Sequence, residues 1–204
     1  MGMTKTVTLR EPWDVDRRLA ELSLKRELLL KVRAMAIGAG ADATAFHAAN
    51  AAGTYQYHAG TWGLRNEFVG DVWQLDRPDG VEAIRNDAAK VKVVFANVDL
   101  ACNDEHDPKP RSRKGSGAER VCSGNLFGSL PKFAPKQTDK YAIYFLMVDD
   151  NGAAELSRPV VKNSTFTTPI ERIYLSDGSD LDRTLLLTDD EDVASGFDPQ
   201  VARK

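Results

Sequence analysis

Apolar positions in the first third of the chain recur at helical spacing. Between Asp14 and Ala36, Val15, Leu19, Leu22, Leu29 and Val32 form one stripe. Leu24, Leu28 and Met35 widen it, and Arg17, Arg18, Glu21, Lys25 and Arg26 lie opposite. That period predicts an amphipathic helix, capped by Asp14 and stopped by a glycine in GAGAD at 38–42. Ahead of it, TKTVTL at 4–9 alternates as a short strand that Glu11-Pro12 ends. A second helix is expected from Asp42 to about Val69. Phe46, Ala49, Gly53, Tyr57, Gly60, Leu64 and Phe68 fall on one face of it. His47, Asn50, Thr54, His58, Thr61 and Arg65 fall on another. Its internal glycines argue for a break near Gly60, because each costs a helix about 1 kcal/mol.

Beyond Gly70 the pattern changes to short β-type runs. VWQL reads as a strand and RPDG as a turn with proline at its second position. VEAIRNDAAK reads as a brief helix, and KVKVVFANVDL as a buried strand. KYAIYFLMV, DDNG and AAELSRPVV together spell a hairpin. In its first strand Tyr141, Ile143, Phe145 and Met147 alternate with Ala142, Tyr144, Leu146 and Val148. Both faces are apolar, which suits the middle of a sheet covered on both sides. Pro159 suggests an edge position for the second strand, or a bulge in its tail. PIERIYLS is expected as a third strand, antiparallel to its predecessor, and LDRTLLL as a last short element. The predicted fold is α+β, a helical N-terminal half packed on a mostly antiparallel sheet from the C-terminal half. One domain is expected over 1–188, with a long loop at 101–139 and an acidic, disordered tail at 189–204.

Composition narrows the function classes. The 204 residues carry 27 Lys and Arg against 30 Asp and Glu, a net charge of −3, which argues against a protein wrapped wholesale in nucleic acid. It leaves room for a local basic patch. No apolar run approaches a membrane span, and the N-terminus lacks a secretory h-region, so a cytoplasmic protein with no membrane partner is expected. The two cysteines, Cys102 and Cys122, are then expected as reduced thiols. Cys102 and His106 have a C-x3-H spacing that Cys122 could extend, but the fourth ligand is missing. No metal and no cofactor is expected. Walker, dinucleotide, zinc-protease and nucleophile-elbow patterns are all absent from the sequence. Asp177, Asp180 and Asp182 lack the order of a calcium loop.

One stretch departs from the acidic background, PKPRSRKGSGAER at 108–120. Lys109, Arg111, Arg113, Lys114 and Arg120 supply charge, Ser112 and Ser116 supply donors, and GSGAER is suited to open a helix toward an anion. Guanidinium forks match pairs of phosphate oxygens, and glycine permits close backbone approach. A solvated linker has much the same composition. The sequence therefore points to a non-enzymatic protein that contacts a polyanion, nucleic acid above all, through Lys109, Arg111, Arg113, Lys114, Ser116 and Arg120. One alternative is a small enzyme for a phosphorylated substrate, with His47 or His58 as general base. The other is a protein-interaction module, using the acidic tail or the glycine-faced helix. Tyr55, Tyr57 and Trp62 add aromatic surface suited to stacking or to core packing.

Overall fold

A computed structural model of the chain describes residues 6–127 and 141–181. It opens with β1 (Val7–Leu9), α1 (Pro12–Glu21), α2 (Arg26–Ala41) and α3 (Ala51–Phe68). Three strands follow, β2 (Gln74–Asp76), β3 (Ala83–Asn86) and β4 (Val91–Asn97), and then α4 (Ser116–Phe127). The remainder is β5 (Ala142–Val148), β6 (Ala154–Arg158), β7 (Val161–Lys162), β8 (Thr165–Phe166) and β9 (Glu171–Ser176). Among the described residues seven strands form one sheet in the order β1-β9-β6-β5-β4-β3-β2, and β7 and β8 form a separate small hairpin. The β1–β9 and β4–β5 pairs are parallel and the other four pairs antiparallel. The α+β class holds, with helices gathered in the N-terminal half and most strands in the C-terminal half.

Alternation along β5 explains the layering. Tyr144, Leu146 and Val148 share a core with Val15, Leu19, Leu29 and Val32 of α1 and α2, and with Leu64 of α3. Ile143, Phe145 and Met147 point the other way, into a core with Ala118 and Cys122 of α4 and Phe166 of β8. β5 is the fourth of the seven strands and buried on both faces, as its doubly apolar pattern predicts. The hairpin after it forms as expected, with Gly152 at φ 82 closing the turn. β9 pairs antiparallel with β6, also as expected.

Several elements differ from the pattern-based reading. The first apolar stripe is two helices, broken at Ser23, whose φ is 60. Leu22 and Leu24 are both buried across the break, and Trp73 Nε1 donates to Ser23 O at 3.0 Å, so packing rather than propensity sets the corner. The first helix is capped at Glu11, before Pro12, rather than at Asp14. α2 runs through Gly38 and Gly40 to Ala41, because Gly40 lies against the Gln56 side chain of α3. α3 begins at Ala51 rather than Asp42 and does not break at Gly60. Gly60 abuts the ring of Phe95, where a methyl group would overlap it, and Gly63 abuts Val32 and Met35. The glycine face is thus consumed inside the molecule. VEAIRNDAAK is not a helix but contributes β3, which pairs with both β2 and β4, so tertiary pairing overrides local propensity. β6 is interior, between β5 and β9, and Pro159 falls just past its last ladder residue. The tail at 189–204 and most of LDRTLLL lie outside the described residues. Among the described residues no helix is long and apolar enough to cross a membrane.

Candidate anion-binding cavity

The site begins where the β4 ladder changes partner. β3 pairs with β4 only as far as Ala83 opposite Val94. Farther along the same edge the chain folds back, with Pro110 bridging Val98 and Arg111 N donating to Asn97 O at 3.1 Å. Asp99 fastens the return, since Asp99 N donates to Lys109 O at 3.0 Å and Lys109 N to Asp99 Oδ1 at 2.8 Å. The outgoing limb is tied to the hairpin strands. Ala101 N donates to Asp149 Oδ2 at 3.1 Å and Cys102 N to Glu155 Oε2 at 2.7 Å. Arg172 completes this anchor. Its Nε and Nη2 donate to Glu155 at 3.0 and 2.6 Å, and its Nη1 reaches Asn103 O and His106 O at 2.8 and 3.1 Å. The basic segment therefore hangs from a fixed frame, which a solvated linker would lack.

The start of α4 is held just as firmly. Lys114 N donates to Ser164 O at 2.9 Å, and Ser164 N donates to Glu119 Oε1 at 2.8 Å. Asn163 and Ser164, both at positive φ, form the tip between β7 and β8 that presents these two groups. On the opposite side Gly117 touches the backbone carbonyl of Asp79 so closely that a Cβ would overlap it. Arg120 Nε donates to Asp79 Oδ1 at 3.2 Å and reinforces the contact.

Between these supports lies a cavity of about 600 Å³. One wall comes from the start of α3, with Asn50, Gly53, Thr54 and Tyr57, and another from Arg111 to Gly115 with Gly117 and Ala118. Its base is Val94, Phe95, Asn97 and Phe145. The N-terminal turns of two helices thus line one space. Among the described residues no backbone acceptor meets the N–H of Ala52 or Gly53 in α3, or that of Gly117 in α4. Unpaired N–H groups at helix starts carry partial positive charge and suit anions.

Lys114 is the distinctive side chain. It is half-buried in the cavity wall, its Nζ 5.8 Å from the ring centre of Phe145 and 5.4 Å from that of Phe166. No carboxylate pairs with it among the described residues. Burial pushes its pKa down from 10.5 to about 8, a drop that the nearby Cys122 partly opposes. Arg113 also lines the cavity, is exposed, and has no ion-pair partner among the described residues. Arg111 lines it too but is paired with Asp150. Asn97 also lines the cavity. Its Nδ2 donates to Gly53 O at 2.7 Å, which fixes the amide orientation, and its buried Oδ1 meets no donor among the described residues.

The other sequence-predicted residues lie elsewhere. Lys109 Nζ donates to Phe166 O at 3.0 Å, and neither Lys109 nor Ser116 nor Arg120 lines the cavity. His47 and His58 do not line it either, so the structure does not bring them together with the basic loop. His47 sits in a turn before α3, and His58 is exposed with its ring edge-on to Tyr57 at 5.7 Å. Sequence reasoning missed Gly53 and Asn97 as site residues. Asn97 does leave a trace, as the polar residue that ends an apolar strand just before a loop.

Cys102 Sγ donates to Ala154 O and Ser176 O, and burial raises both thiols, Cys102 and Cys122, to about 12. His106 Nε2 is 2.9 Å from Asp99 Oδ2. Among the described residues no group of three His, Cys, Asp or Glu side chains is placed to hold a metal ion. Comparison with protein-family models, with curated proteins and with solved structures finds no match for this chain.

Proposed function

We propose that this chain is a non-enzymatic binding protein for a phosphate-bearing polyanion, nucleic acid in the first place, and that the cavity between α3 and α4 seats one of its phosphates. The observation that carries the reading is Lys114, a partly desolvated cation that no carboxylate pairs with among the described residues, at the wall of a cavity that two helix starts also line. A half-buried ammonium without a partner is costly, and an anion beside it recovers that cost. Arg113 supplies a second contact from the rim. Arg111 is already neutralised by Asp150, Lys109 is spent on Phe166 O, and Arg120 bonds Asp79. The basic loop is therefore a site for one or two phosphates rather than a track along a duplex. A reducing compartment such as the cytoplasm suits a chain whose two thiols are unpaired.

The test is binding of inorganic phosphate and of a short 5′-phosphorylated single strand over a salt series, with wild type and the double variant Lys114→Met, Arg113→Gln. Each phosphate contact removed takes about 0.7 from the logarithmic salt slope on a single strand, so the double variant should lose roughly 1.4. Wild type that binds neither probe at low salt, or a double variant with unchanged affinity and slope, would refute the reading.

A further inference from the structure

Phe46, three residues before the cavity-lining Ala49, is fully exposed, at 101 % of its reference surface. Its presentation is built rather than incidental. Thr44 N donates to His47 Nδ1 at 3.0 Å, and His47 N donates back to Thr44 O at 3.0 Å. The His47 ring then stands edge-on to Tyr55 of α3, with centroids 5.6 Å apart. His47 and Tyr55 thus pin the turn, and Phe46 is the large apolar side chain within it that no described residue covers. Ala49, three residues on, lines the cavity, and three residues span at most about 11 Å.

We propose that Phe46 is a stacking platform for an unpaired base of a single-stranded nucleic acid whose phosphate occupies the cavity beside Lys114. The proposal rests on the phosphate reading above and adds the form of the partner. Bases in a duplex are stacked on one another and offer no face to a side chain, whereas a single strand offers both a phosphate and a free π-face. A protein partner would call for a contiguous apolar patch. Ala45, His47 and Ala48 around Phe46 are exposed small or polar residues. The other large exposed apolar side chains nearest in sequence, Trp62, Val69, Val72 and Leu75, belong to the far end of α3 and to the segment through β2. The ring thus stands among small and polar residues, in a turn that within three residues enters the wall of the cavity that Lys114 also lines.

The experiment compares wild type, Phe46→Ala, Phe46→Trp and Lys114→Met. The probes are inorganic phosphate, a short 5′-phosphorylated oligothymidylate and a duplex of equal length. Among the described residues nothing packs on the ring, so both Phe46 variants should keep the wild-type melting temperature. Phe46→Ala should weaken oligothymidylate binding about 5- to 150-fold, the usual range for loss of one stacked base, and leave phosphate binding unchanged. Phe46→Trp should retain affinity and add fluorescence, above that of wild type, that the strand quenches. Undiminished oligothymidylate binding by Phe46→Ala, or duplex binding as tight as single-strand binding, would overturn the proposal. If Lys114→Met loses both phosphate and strand while Phe46→Ala loses neither, the cavity reading stands and the stacking role falls.

Discussion

Two cations withdrawn from water, Arg172 and Lys114, are treated in opposite ways by the same fold. Arg172 is 3 % exposed and each nitrogen of its guanidinium is hydrogen-bonded, to the buried carboxylate of Glu155 or to two backbone carbonyls, with the ring of Tyr174 at 5.0 Å. Glu155 is completed in turn by Ser157 Oγ and Cys102 N. Lys114 has two phenyl rings and, among the described residues, no carboxylate. Cation–π contact offsets part of a desolvation cost, but it does not replace an anion. A fold able to satisfy one buried cation so fully leaves the other open where a cavity gives access to it. The first centre holds the loop in place, and the second is what the loop is positioned to offer.

That contrast fixes the order of expected effects. Glu155→Gln should be the most damaging change. It leaves the Arg172 charge buried without its partner, at a cost of about 3–5 kcal/mol by urea unfolding. A loss below about 1 kcal/mol would make the two centres alike. Lys114→Met should have the opposite sign, stabilising the unliganded protein by about 1–3 kcal/mol near pH 7 while it removes phosphate binding. The pH dependence follows from a folded pKa of about 8 against an ordinary 10.5. Between those values the unfolded chain binds more protons, so wild-type stability rises with pH across that window, and the advantage of the variant shrinks. A constant difference from pH 7 to 10.5 would contradict the assignment. Gly117→Ala should cost about 1–3 kcal/mol in thermal or urea unfolding, because its methyl group meets the Asp79 carbonyl and shifts the start of α4. Phosphate affinity should fall with it. Arg113→Gln should be nearly silent in stability, within about 0.5 kcal/mol, and register only as weaker binding and a shallower salt slope.

The sequence displayed the sheet better than it displayed the site. β4, β5, the β5–β6 turn and β9 were legible because period 2, β-branched runs and Asp-Asn-Gly are local signals. The corner at Ser23, the unbroken α3 and the strand at Ala83–Asn86 were not. Each is decided by a distant partner, respectively Trp73, the Phe95 ring, and the flanking strands β2 and β4. The basic segment drew attention by composition alone, and its GSGAER step opens a helix as that composition suggested. Composition could not rank its cations. Arg111, Lys109 and Arg120 are engaged by Asp150, Phe166 O and Asp79, partners 39, 57 and 41 residues away in the chain. Lys114 stands out only because Phe145 and Phe166 arrive from β5 and β8 to bury it.

The most direct test is an NMR titration of the Lys114 ammonium in otherwise native protein, first without and then with inorganic phosphate. The account predicts a pKa near 8 in the unliganded protein and an upward move as phosphate binds, since the anion favours the charged amine. A Lys114 that titrates at an ordinary 10.5 and ignores phosphate would contradict the claim that this cavity is an anion site.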